Sequence, residues 1–186
     1  MFMSNSTINI SSEIHLQKPV ALVGMMGAGK THTGRILAKE LGLGFVDSDD
    51  EIVLSAGQSI PDIFSFYGEG AFRELEGRVL KRLVENKALV IATGGGCVTQ
   101  RETLEMLKQQ THLIWLKADI DILVERTARR DDRPLLQVDD PKEVLQKLWA
   151  QRAPLYAQAV DEIKMSKGTQ NVIKDILCYL DSVYNR

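Results

Sequence analysis

Cysteine is scarce in this chain, with two among 186 residues. Cys97 and Cys178 stand far apart, with no Cys or His at metal-ligand spacing. That excludes a disulfide framework or a zinc site and suits free thiols in a reducing compartment. No apolar run approaches the ~20 residues that span a bilayer, so no membrane partner is expected. An excess of one charge is also missing. With 23 Lys and Arg against 25 Asp and Glu the net charge is −2, which gives no electrostatic reason to expect nucleic acid. Repeats, low-complexity segments and Gly/Ser-rich linkers do not occur. Residues 1–18 are polar, without a basic cluster or an apolar segment of signal-peptide length. They read as a flexible extension ahead of a single domain, 19–186, with the cytoplasm as default location.

What is present is a phosphate-binding pattern. Gly24 to Thr31 read Gly-Met-Met-Gly-Ala-Gly-Lys-Thr, a complete Gly-x4-Gly-Lys-Thr loop. The run Val20–Val23 leads into it. After it Ile36, Leu37 and Leu41 fall on one side of a helical pattern, with Arg35, Lys39 and Glu40 on the other. Strand, glycine loop and helix form the context in which this pattern cradles phosphate. Backbone N–H groups of the stretch Gly27, Ala28, Gly29 turn inward as an anion nest, and the helix N-terminus adds partial positive charge. Lys30 then reaches the β and γ phosphates of a nucleoside triphosphate, and the Thr31 hydroxyl ligates Mg2+.

Further along, short β-rich runs alternate with helical patterns, which predicts a parallel sheet with helices on both faces. Strand candidates are Val20–Val23, Phe45–Val46, Ala88–Thr93, His112–Leu116 and, more weakly, Glu162–Met165. Helices are predicted over Glu69 to Leu83, in a shorter piece marked by Ile60, Ile63, Phe64 and Tyr67, over Ile120–Thr127, from Glu143 to Gln151 and from Val172 to Tyr184. Arg129 to Pro141, charged and holding two prolines, reads as a loop long enough to act as a lid.

In such sheets ligands bind beyond the carboxyl ends of the strands, where three unusual segments fall. Besides the phosphate loop there is Asp47-Ser48-Asp49. Extended backbone there sends Asp47 and Asp49 to one side, about 7 Å apart. One carboxylate can then serve the Mg2+ shell and the other accept a proton from an attacking hydroxyl. The same residues would equally suit an acidic helix N-terminus. Gly94, Gly95 and Gly96 are costly in conformational entropy, and are explained either by close approach of a ligand or by a tight turn. Arg73 sits at the margin of a buried stripe, with Glu76 at i+3. On spacing alone it reads as half of a surface pair. Arg133, in the charged loop, and Arg152, read as following a helix, are either solvated or cations over a transferring phosphoryl group.

Taken in order and spacing, these residues resemble the shikimate kinases, small P-loop kinases that phosphorylate the 3-hydroxyl of shikimate. The likeness spans about Pro19 to Tyr184. It rests on the glycine loop, Asp47-Ser48-Asp49, Phe72-Arg73-x-x-Glu76, the glycine triplet, Arg133-Pro134-Leu135-Leu136 and Arg152-x-Pro154-Leu155-Tyr156. The resemblance implies an α/β fold of the nucleoside-monophosphate-kinase type, with a five-stranded parallel sheet of order 2-3-1-4-5 and a lid at about 129–141. It implies ATP and Mg2+, a monomer, and shikimate as acceptor. Asp49 becomes the proton acceptor, Arg73 and Arg152 a clamp on the substrate carboxylate, and Gly94, Gly95 and Gly96 a cover over the substrate. Arg133 becomes the lid cation, Arg126 packs on adenine, Thr31 binds Mg2+ and Asp47 contacts it through water.

One departure is His32, directly after the glycine loop and assigned to the nucleotide, where the family carries a small hydroxyl residue. The adenine-contacting segment near Ser166 to Gln170 is poorly matched. Gluconate kinase, the nearest rival, has a His-Pro after its Asp-x-Asp, whereas Asp50-Glu51-Ile52-Val53 follow here. A nucleotide-binding regulatory module without catalysis is opposed by the intact Lys30, Thr31, Asp47, Asp49 and Arg133.

Overall fold

In the computed structural model, residues 16–127, 141–159, 161–164 and 168–184 are described. Five strands form one parallel sheet: β1 Val20–Val23, β2 Gly44–Asp47, β3 Leu89–Ala92, β4 His112–Lys117 and β5 Asp161–Lys164, in the order β2-β3-β1-β4-β5. Val20 is level with Val90 on one side and His112 on the other. All four β1 residues are buried, which is why that strand reads as an unbroken apolar run instead of an alternating one. The helices are α1 Lys30–Leu41, α2 Ser48–Ala56, α3 Ile60–Leu83, α4 Arg101–Gln110, α5 Ile120–Thr127, α6 Pro141–Tyr156 and α7 Thr169–Tyr184. Among the described residues no helix is long and apolar enough to cross a membrane.

The expected sheet and its order are thus observed, while several local expectations change. α4, with Leu104 and Leu107 buried, was not anticipated, because its polar residues hide a narrow apolar stripe. The two helices expected between residues 60 and 83 run into each other at Gly68, where φ is 79° and ψ 172°. Asp47 ends β2, but Asp49 is helical. Asp47 caps α2, its carboxylate accepting from the Asp49 N–H at 3.1 Å. The extended Asp-x-Asp geometry is therefore wrong, since the cap turns the backbone within one residue. Arg152 lies inside α6, not after a helix, because α6 continues through Pro154 to Tyr156.

The expected loop at 129–141 falls outside the described residues apart from Pro141, which opens α6, and residues 1–15 fall outside as well. Residues 17 and 18 are held: the Gln17 N–H donates to the Tyr184 hydroxyl at 2.9 Å and Lys18 Nζ to Gln109 O at 2.6 Å.

Candidate active site

Main chain builds one side of the cleft. β1 delivers the glycine loop to the N-terminus of α1, with Gly29 as cap. Lys30 Nζ lies across the loop, donating to Gly24 O at 2.8 Å and Met25 O at 3.0 Å. Gly24 adopts φ 144°, and a Cβ there would stand 2.6 Å from Leu116 O. Only glycine lets β1 turn out of the sheet so close to β4. Thr31 Oγ1 donates to Asp47 Oδ2 at 2.7 Å, so the first turn of α1 and the end of β2 place two oxygen groups side by side. His32 is exposed on α1. Arg126, exposed on α5, donates through Nη1 to Gly27 O at 3.3 Å, which sets it against the loop's outer side.

Side chains build the other side. A cleft of about 370 Å³ is lined by Asp49, Arg73, Glu76, Gly94, Gly95, Gly96 and Arg152, with an apolar wall that includes Met26, Ile60, Phe64 and Phe72. Arg73 is 7% exposed and Glu76 1%; Arg73 Nη1 donates to Glu76 Oε2 at 2.7 Å, and Nη2 reaches Glu69 Oε1 at 3.1 Å. The pair is therefore not a surface one. Arg73, Glu76, Leu80 and Leu83 are all buried at i, i+3, i+7 and i+10, so the inward stripe of the helix runs through the ion pair. Its polar end is where the stripe leaves the core and meets the cleft.

Burial raises the Glu76 carboxyl above its ordinary range, and Arg73 offsets this only in part. Burial opposes the charge on Arg73, but Glu76 and Glu69 outweigh it and keep the guanidinium charged. Glu76 Oε1 is buried with no hydrogen-bond partner among the described residues.

The glycine triplet has a packing explanation besides ligand approach. A Cβ on Gly94 would lie 2.5 Å from Glu76 Oε1 and 2.8 Å from Asp49 Oδ1, and one on Gly96 would strike the Arg73 guanidinium. The missing side chains make room for the charges of the cleft. The Gly94 N–H donates to Ser48 Oγ at 2.9 Å, tying the triplet to the start of α2. Gly95 O accepts from Arg152 Nη1 at 3.3 Å and from the Tyr156 hydroxyl. Arg152 is itself 5% exposed. Burial pushes the Tyr156 phenol above its usual range, which keeps it a donor. Cys97, just beyond, is buried and its thiol is pushed up to about 12, chiefly by burial; it stays protonated and inert.

The structure thus brings Asp49, Arg73, Gly94, Gly95, Gly96 and Arg152 around one cleft, with Lys30 and Thr31 at the start of α1 and Asp47 at the end of β2. Arg133 lies outside the described residues. Tyr156 and Ser48 belong to motifs that the sequence shows, but sequence reasoning assigns neither a role. Tyr156 follows Arg152 by four residues on α6, the helical spacing that puts both on Gly95.

A parallel sheet with a Gly-Lys-Thr loop at its first strand end, facing a cleft of buried charge, defines a P-loop phosphotransferase. The family profile described as shikimate kinase matches residues 26–181, and the chain belongs to that family. The shikimate kinase of Nitrobacter winogradskyi is 50% identical over 142 residues, 76% of this chain and 66% of that protein. That of Paramagnetospirillum magneticum is 43% identical over 170 residues, 88% of this chain and 87% of its relative. Among solved structures, shikimate kinase from Acinetobacter baumannii in complex with shikimate matches with a TM-score of 0.87 at 42% identity, covering 91% of this chain and 96% of the other.

Proposed function

We propose that this chain transfers the γ-phosphoryl group of ATP to the 3-hydroxyl of shikimate, giving shikimate 3-phosphate and ADP. The observation that carries the reading is the convergence of Arg73, Arg152 and Asp49 on one cleft beside the glycine loop. Two guanidinium groups fit a carboxylate bidentately, which favours an acidic acceptor over a neutral one. Asp49, which lines the same cleft, is proposed to accept the proton of the attacking hydroxyl. Gly94, Gly95 and Gly96 border the acceptor. In-line transfer needs positioning and charge neutralisation more than covalent chemistry.

The triphosphate is held by the backbone N–H groups of Gly27, Ala28 and Gly29, by Lys30 and by the turn of Thr31 and His32. Arg126 is proposed to face the adenine. Arg133 is proposed, on family resemblance, as a further cation on the phosphates. Thr31 and Asp47 offer hard oxygen donors 2.7 Å apart. That suits Mg2+, which keeps several waters and is completed by phosphate oxygens, not by a protein cage. When bound, the ion neutralises charge between the β and γ phosphates. The working unit is proposed as a cytoplasmic monomer, with residues 19–186 as one domain, 1–18 as an extension and no nucleic-acid or membrane partner.

The test is ADP release by the purified protein with ATP and Mg2+ across an acceptor panel. Shikimate is expected to support turnover and gluconate to support none. Turnover with gluconate alone would overturn the acceptor assignment.

A further inference from the structure

α3 is two helices meeting at Gly68. The first, residues 60–67, brings Ile60, Pro61 and Phe64 to the cleft, and the second, residues 69–83, brings Phe72, Arg73 and Glu76. An unbroken helix could not do both. Phe64 and Phe72 would stand about 12 Å apart along its axis, and Phe64 and Arg73 would point about 180° apart around it. In the folded chain the Phe64 and Phe72 rings are 4.6 Å apart, and both line the cleft with Arg73. The break lets both helices present side chains to the same cleft.

The backbone that makes the break is open essentially to glycine alone. With φ 79° and ψ 172°, Gly68 lies beyond the left-handed helical region that Asn and Asp tolerate. A Cβ built there meets nothing within 4 Å. Substitution therefore acts through the backbone angles and not through a clash. Gly42, at the far end of α1, has φ 66° and ψ 27° with equally open space, and supplies a control for left-handed strain away from the cleft.

We propose that Gly68 is a positioning residue for the acceptor. By fixing the turn it sets the gap between the Phe64 ring and the Arg73 guanidinium, and so selects an acid whose carboxylate and apolar ring edge fit that gap. This rests on the reading of the cleft as the shikimate site.

The experiment is steady-state kinetics on Gly68→Ala, Gly68→D-Ala (made by peptide ligation) and Gly42→Ala. Gly68→Ala is expected to raise KM for shikimate about tenfold with KM for ATP within about twofold of wild type, since the strain falls on one wall only. Gly68→D-Ala, whose mirror-image preference accepts these angles, restores the wild-type KM. Gly42→Ala leaves both KM values unchanged. An unchanged shikimate KM in Gly68→Ala, or a failure of Gly68→D-Ala to restore it, overturns the proposal. Should Gly68→Ala not be recovered folded, Gly68→D-Ala decides alone: a wild-type KM supports the proposal and a raised one overturns it. Wild-type protein that releases no ADP with shikimate overturns the proposed reaction and this inference with it, whereas an active wild type confines any failure to Gly68.

Discussion

The proposed nucleotide side and the proposed acceptor side of the cleft are made of different materials. The nucleotide side is main chain, drawn from eight consecutive residues, Gly24 to Thr31, at the mouth of a fully buried strand. The acceptor side is mostly side chain, gathered from α2, both parts of α3 and α6 beside the glycine triplet, and held around a buried ion pair. Backbone amides at a helix N-terminus keep their donors at little cost, since those groups lack intrahelical partners anyway. Buried carboxylates and guanidinium groups lose hydration that their mutual attraction need not repay. The first side favours permanence, and the second trades stability for selectivity.

The largest effect should come from the cationic side chain that lies across the main-chain loop. Lys30→Ala is expected to lower kcat by about a thousandfold, the scale of losing a charged donor at a transition state. Shikimate binding, followed by calorimetry, should be unchanged. Turnover within tenfold of wild type would mean that the loop holds phosphate without its lysine, and the contrast between the two sides would sharpen into backbone against side chain outright.

Arg73→Ala should act on the opposite side. Removing one arm of a bidentate charge pair is expected to raise KM for shikimate about a hundredfold, while ATP binding stays intact. The variant also leaves Glu76 buried without its partner, so its melting temperature should fall. Lost ATP binding would show that Arg73 supports the fold of both sides, and the division drawn above would fail.

This division also explains how legible each side was. The strands and the phosphate loop are local consequences of apolar runs and a contiguous motif, and both could be read from sequence, whereas the sheet order came only with the family resemblance. The acceptor site depends on contacts between positions 49, 73, 94 and 152, and no spacing argument connects those. Read by itself, Arg73 looked like half of a surface pair, because its stripe carries charge where an apolar residue was expected. Only the family resemblance placed it in a site. Asp49 failed geometrically for a related reason: one capping hydrogen bond at Asp47 changed an extended segment into helix. The join at Gly68 was legible as the boundary between two helical patterns, but the angle it sets between them was not.

The smallest effect tests the claim about stability. The folded protein raises the Glu76 carboxyl above its ordinary value of 4.5, with burial as the leading cause. It therefore binds that proton more tightly than the unfolded chain does. Below 4.5 this group's contribution is fully present; as pH rises through the interval up to the raised value it is lost, and above that the loss is constant. Other carboxylates titrate in the same range, so the effect is read as a difference from Glu76→Gln, which keeps the shape and mimics the protonated acid. Urea unfolding should show wild type losing stability relative to the variant as pH climbs out of the acid range, then levelling. At neutral pH Glu76→Gln should be the more stable protein, yet bind shikimate more weakly, because Arg73 loses its carboxyl partner. Glu69, 3.1 Å from Arg73, still balances the guanidinium in that variant. If Glu76→Gln proved less stable than wild type at neutral pH, the ion pair would be a net stabiliser, and the acceptor side would not be costly to the fold after all.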